Sequence, residues 1–309
     1  MFKTNKLKQF TILFVLIQTL SYGQGLIDGS FSKKNDVITS AAFIYNYYDT
    51  LFVMGDTEVS PIPDHQKVEQ YIYNLYLSYG LSDNIQLIAN LPYIQAQGDG
   101  IPDRINGRRS LNHFQDLSLA GKFKFGNVDF EGGAFNLIAG VGLAIPLGYE
   151  PNGILGIGHG AVQYQGSLGA HLQFESSFYG TLVGGYDLRG RSKDNFNTVP
   201  AEKFDVPDAY NFLLKTGYSL PFVSIDGWLQ GTYAINGVDI QGEGFSGNFP
   251  EVQSKYTSVG ASLYFPVVNY LGISGSFSKL ISGENTADFT NFAIGIVCAV
   301  NKIRPSTPQ

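Results

Sequence analysis

Between residues 37 and 301 about a dozen stretches of the chain place an apolar residue at every second position. In Val162 to Phe174 one side reads Val162, Tyr164, Gly166, Leu168, Ala170, Leu172, Phe174, and the other reads Gln163, Gln165, Ser167, Gly169, His171, Gln173. Successive side chains of a β-strand point to opposite faces, so such a segment shows hydrocarbon to one side and water to the other. No helical period intervenes. The repetition predicts an all-β fold, a transmembrane antiparallel up-and-down β-barrel with a polar interior.

The segments are Val37 to Asp49, Lys67 to Leu81, Ile85 to Gln95, Phe114 to Gly126, Ala134 to Leu147, Ala161 to Phe174, Phe178 to Gly190, Ala209 to Leu220, Val223 to Ile235, Val252 to Pro266, Tyr270 to Ser282 and Asp288 to Asn301. They number about 12, and at about 3.3 Å per residue and a tilt near 45° they match the hydrocarbon thickness of a bilayer. Their connections are short after even-numbered segments. After odd-numbered ones they are roughly 13 to 18 residues long, except the brief last hairpin through Gly283 to Ala287. Bacterial barrels have this alternation of short periplasmic turns and long external loops. A soluble β-sandwich would also alternate, but would not confine its long loops to every second hairpin.

Parity sorts the side chains. The fourth segment sends Leu117, Leu119, Phe123 and Phe125 outward, and the eleventh sends Leu271, Ile273, Phe277 and Ile281 outward against inward serines. Many of the 19 tyrosines and 23 phenylalanines fall near strand ends, where amphipathic rings favour the membrane interface. Glycines, 37 in all, let the sheet curve and leave space inside.

The front of the chain sets the compartment. Lys3, Lys6 and Lys8 precede the apolar run Phe10 to Leu20 and the small-residue site Ser21, Tyr22, Gly23, the layout of a secretory signal peptide covering 1–23. The apolar run is too short to span a bilayer as a helix. Residues 24–309 then form one outer-membrane barrel domain, and losing three lysines takes the formal charge from −6 to −9. So acidic a chain argues against nucleic acid as a partner. Cys298, the only cysteine, excludes an internal disulfide and a thiolate metal cluster, and no cofactor is implied. The expected partners are outer-membrane lipid and lipopolysaccharide, a small-molecule solute, and the barrel assembly machinery during insertion. The chain lacks the usual aromatic end to its last strand, because Asn301 to Gln309 follow.

Inward parity collects the candidate lumen residues: Asp116, Lys122 and Lys124, then His171, then Asp187 and Arg189, then Lys215, then Asp226 and Trp228. Twelve strands lie between the eight that side chains can fill and the sixteen that open a wide channel. Asp187, Arg189, Lys215 and Asp226 are expected in one charged belt across neighbouring strands. Such a belt either selects solutes by ring electrostatics or neutralises itself and closes the lumen. A loop folded inward would plug the barrel, and nothing in its composition would announce it. In the loop Gln97 to Arg109, Asp99 and Asp103 flank a glycine, but they offer too few oxygens for calcium. The cluster Arg104, Arg108, Arg109 suits lipopolysaccharide phosphates. Ser167 and His171 share a face but sit roughly 13 Å apart, too far for an activated nucleophile.

Several pieces resemble the phenol meta-cleavage-pathway transporter family of outer-membrane channels. They are Tyr79-Gly80-Leu81-Ser82-Asp83-Asn84 leading to Asn90-Leu91-Pro92-Tyr93, then Gln115 to Phe123, then Ile145-Pro146-Leu147-Gly148, then Leu155 to Tyr164. Order and spacing fit from the second to the sixth segment. Leu147 stands where threonine commonly follows the proline, and His159 where a small polar residue is usual. The resemblance implies a channel for small hydrophobic or aromatic compounds. The residues also admit two other classes: a closed structural barrel acting through its external loops, and an outer-membrane hydrolase using His171.

Overall fold

The computed structural model describes residues 27–53, 59–62, 64–192, 204–240, 242–245 and 249–300. The expected signal peptide and the tail after residue 300 lie outside the described residues. Twelve antiparallel strands form the wall: β1 (Val37–Tyr48), β2 (Val68–Ser82), β3 (Ile85–Gly98), β4 (Asp116–Phe130), β5 (Gly133–Pro146), β6 (Gln163–Phe174), β7 (Phe178–Arg189), β8 (Ala209–Leu220), β9 (Val223–Ala234), β10 (Lys255–Val268), β11 (Leu271–Glu284) and β12 (Thr290–Ala299). Each pairs with its sequence neighbour, and β1 closes the ring on β12 from Ile38↔Ala299 to Tyr47↔Thr290. Closure leaves no strand edge, which is what lets a sheet sit in lipid.

All twelve predicted segments are present, with two instructive differences. The connection expected over Asn127 to Gly133 is nearly all strand: β4 and β5 pair down to Phe130↔Gly133, past a bulge between Lys124 and Gly126. Gly132 makes the tight reversal at φ +87°, a conformation a side chain would oppose. At the opposite rim, β3 runs on to Gly98 and pairs with a ribbon strand at Ser110–Phe114, so the wall rises above the bilayer there.

Outward positions are apolar and exposed around the wall, for example Leu168 at 67% and Ile294 at 59%. Only lipid makes such a surface favourable. Aromatic rows bound it. Phe130, Phe174, Phe178 and Tyr218 form a continuous row at the short-turn rim, with successive centroids 5.9, 5.8 and 6.4 Å apart. Phe43, Tyr45, Tyr47, Tyr71 and Tyr73 cluster near the long-loop rim.

Candidate functional site

Strand register arranges the inward side chains in rows. One row runs Asn136, His171, Thr181, Lys215, Trp228, Gly260 across β5 to β10. The next row towards the long loops runs Ile138, Gly169, Val183, Leu213, Gln230. Ile138, Val183, Leu213 and Trp228 form a buried apolar cluster inside the barrel, so the lumen has a hydrocarbon shelf as well as the expected polar lining.

That shelf is covered by a segment absent from the sequence-level site. Residues 27–34 precede β1 and climb into the lumen from the short-turn rim. At the rim the Lys34 N–H donates to Asp83 Oδ1 at 2.9 Å, and the Ser32 N–H donates to Gln86 Oε1 at 3.3 Å. Further in, the Phe31 ring lies 4.7 Å from Lys122 Nζ. Lys122 donates to the Ser30 carbonyl and to Asp28 Oδ1, the latter at 2.8 Å. Ile27 ends on the shelf, against the Ile138 cluster and against Tyr76, Ile88 and Ala120 across the lumen. Gly29 passes so close to His171 that a Cβ built on it would overlap the imidazole. The substitution Gly29→Val is therefore expected to unseat the segment. Trp228, the single tryptophan, would then meet water and its emission would shift to longer wavelength; unchanged emission would contradict this packing.

The expected charged belt is replaced by separate pairs. Lys122 meets Asp28 of the inserted segment, at 2.8 Å. Lys215 Nζ lies 3.6 Å from Asp226 Oδ2, with both side chains at or below 1% exposure, and Tyr179 Oη donates to the same carboxylate at 3.2 Å. Arg189 Nη2 lies 3.8 Å from Asp187 Oδ2. Thr181 faces Lys215 and Asp187 faces Ala209, so the Asp187 pair sits six residues higher on β7, about 20 Å along the strand. At that separation the two neutralised pairs are independent: Lys215–Asp226 joins β8 to β9, whereas Asp187 and Arg189 neutralise each other within β7. Asp116 accepts a hydrogen bond from Tyr149 Oη at 2.7 Å. His171 Nδ1 lies 2.7 Å from Thr181 Oγ1, with the ring packed beneath Gly29 and beside Tyr179, and Ser167 does not reach it.

The long loops pack against one another at the other end. Tyr48, Leu51, Ile62, Ile154, Leu155 and Ile240 belong to one buried apolar cluster that spans four connections. Asp103 is its clasp: its carboxylate accepts the Ile105 N–H at 2.8 Å and the Ile154 N–H at 2.7 Å, tying 99–109 to 147–162. Asp99 accepts the Gln66 and Lys67 N–H groups, both at 2.8 Å, and these donors hold its carboxyl below the usual range. Both aspartates are thus spent on backbone donors. Arg104 and Arg108 pair with Asp64 and Glu150 at 2.8 Å, which draws on the charge offered to lipopolysaccharide. Burial pushes the Tyr149 phenol up, so its hydroxyl stays protonated, donating to Asp116 and accepting the Gly160 N–H at 2.9 Å. The substitution Asp103→Ala leaves the buried Ile154 N–H without this acceptor, at about 1 to 3 kcal/mol, and frees the part-buried Ile105 N–H as well. It should expose 147–162 to proteolysis while the wall stays intact, and equal cleavage of both proteins would contradict the clasp.

Two chambers lie in the lumen among the described residues. The upper, of about 360 Å³, is lined by Gln165, Ser167, Asp187, Asn211, Gln230 and Tyr256, with Ile27 among its walls. The lower, of about 480 Å³, lies on the short-turn side among Asp28 to Lys33 and the facing strands.

No family model and no curated protein matches the chain in sequence. In structure it is similar to the COG4313 outer membrane channel from Pseudomonas putida F1. The TM-score is 0.71 at 16% identity, with 90% of this chain and 100% of that one covered. The NanC porin matches at a TM-score of 0.50 and 9% identity over 84% of this chain and 98% of that one. The likeness is one of fold: a closed barrel of the outer-membrane type.

Proposed function

We propose that the protein is an outer-membrane channel for passive entry of small compounds, with residues 27–34 as the closure on its periplasmic side. The observation that carries this is the nature of the obstruction. The wall strands do not fill their own lumen; a peripheral segment does, between two chambers of solute size. A structural barrel needs no such space. The short turns then face the periplasm and the long loops the exterior, by the usual orientation of such barrels. The resemblance in sequence and the fold of the similar channels support the same reading.

The upper chamber suits an uncharged solute with one hydrogen-bonding edge and one apolar face. Three carboxamides, Gln165, Asn211 and Gln230, meet hydroxyls above a floor of Ile27, Val183 and Leu213. Such a lining is typical of pockets in which apolar contact binds and a few polar groups orient. Aromatic or hydrophobic compounds carrying a hydroxyl fit it. The mature domain 24–309 in liposomes should admit small impermeant polyols slowly, and a variant lacking 24–33 should admit them fast with a sharp size limit. Equal swelling rates for the two proteins and for empty liposomes would rule the channel out. Nothing in the surroundings of His171 favours a hydrolase, since its partner is a buried threonine.

A further inference from the structure

We propose that the lower chamber is a binding site for a small monocarboxylate with an apolar body, occupied while the N-terminal segment is seated. Lys122, Lys215 and Arg189 each have a carboxylate within 4.0 Å. Lys124, two residues below Lys122 on β4 and inward-facing, has none among the described residues. Its ammonium stands 5.6 Å from the Phe31 ring and lines the chamber. Ser32 lines it as well, and its Oγ, in a residue only 3% exposed, has no hydrogen-bond partner among the described residues. A buried hydroxyl without an acceptor and a half-buried cation without a counter-ion are both costs that one oxyanion would remove.

The remaining walls choose the rest of the ligand. Phe31, Ile38 and Tyr76 supply apolar and aromatic surface beside the lysine, and Asn136 adds an amide. The chamber's other carboxylates are engaged: Asp28 with Lys122, and Asp83 with the Lys34 N–H. Of the lining lysines, Lys122 is paired with Asp28 and Lys33 is exposed at the rim, so Lys124 is the half-buried ammonium offered beside hydrocarbon, which suits a monoanion with an apolar body. Because Phe31 and Ser32 belong to the inserted segment, a bound ligand touches closure and wall together. It therefore favours the seated state by linkage.

The site shares with the channel reading only the seating of the segment, and its test is independent of conduction. The mature protein, refolded in detergent at neutral pH, is titrated with benzoate by calorimetry. Benzyl alcohol serves as the ring without charge and inorganic phosphate as charge without ring. Benzoate should bind saturably. Loss of the charge-assisted contact in Lys124→Gln should weaken it by about tenfold or more, Lys124→Arg should retain it, and Lys279→Gln, on the outer wall, should leave it unchanged. Retained binding in Lys124→Arg also guards against misfolding of the glutamine variant. Equal benzoate affinity in Lys124→Gln and the parent, equal binding of benzyl alcohol, tighter binding of phosphate, or no saturable heat would each overturn the proposal. A silent bilayer with benzoate bound would remove the channel reading and leave this one standing.

Discussion

Deleting residues 24–33 from the 24–309 chain is expected to turn a barrel that opens briefly and rarely into one that conducts steadily, with a several-fold larger mean current. The wall strands pair with one another around the whole ring without using the segment, so the barrel loses little when it goes. What holds the segment is modest. Ile27 on the shelf contributes about 1.5 to 3 kcal/mol. The Lys122–Asp28 pair is buried, so the desolvation of both ions offsets most of their attraction and the pair adds less net. A net hold of about 2 to 4 kcal/mol leaves roughly 0.1 to 3% of molecules unseated at equilibrium. The intact protein should therefore show sparse openings whose frequency rises in Asp28→Asn, and the deletion should make the open level permanent. Planar-bilayer recordings of the three proteins check this. Identical open probabilities would mean that the segment does not govern the path.

Breaking the deepest pair should cost more than any other single change in the lumen. Lys215→Met removes the cation facing the Asp226 carboxylate, whose side chain is 0% exposed, and Asp226→Leu removes the anion facing the ammonium. Removing one partner of a buried pair costs about 3 to 5 kcal/mol, whereas replacing both with well-packed hydrocarbon is often neutral. The double variant Lys215→Met, Asp226→Leu should thus recover most of the loss. Denaturant unfolding followed by heat-modifiable gel mobility reads all three proteins. Additive losses, with the double variant the weakest, would show that the two side chains act separately. The conductance of the double variant should stay near that of the parent, since the pair locks β8 to β9 and carries no uncompensated charge towards the solute.

Much of the wall was legible in the sequence because lipid on one side and polar groups on the other enforce a period of two. Leu271, Ile273 and Phe277 could face only one way. The lumen was less legible. Parity placed Lys122, His171, Lys215, Asp226 and Trp228 inside, but pairing depends on register between strands, which alternation does not contain. Hence the belt resolved into pairs at different heights. The apolar shelf left a readable trace: Leu87-Ile88, Leu137-Ile138, Leu182-Val183 and Leu213-Leu214 break the alternation with two apolar residues in succession. Each second apolar side chain in these strands, or the first in Leu213-Leu214, points inward, and three of the four pairs lie in one row. The closure itself left no such trace. Ile27 to Ser32 is a short mixture of small and apolar residues before the first strand, and its place follows from the shelf and from Lys122, tens of residues away.

If residues 27–34 close the path from within, a reversible tether on them will hold it shut. Ile27 and Gly140 face each other closely enough that a Cβ on Gly140 would touch the Ile27 side chain, so cysteines at both positions, with Cys298→Ser to prevent mispairing, are placed to bridge. Single-channel current is recorded on the oxidised protein and again after reductant reaches the same bilayer. Silence is expected while the disulfide holds, and openings once it is reduced, more frequent than in the parent because Ile27→Cys also removes packing on the shelf. A tethered protein that conducts as well as the deletion variant, or a bridge that never forms in the folded barrel, would contradict it.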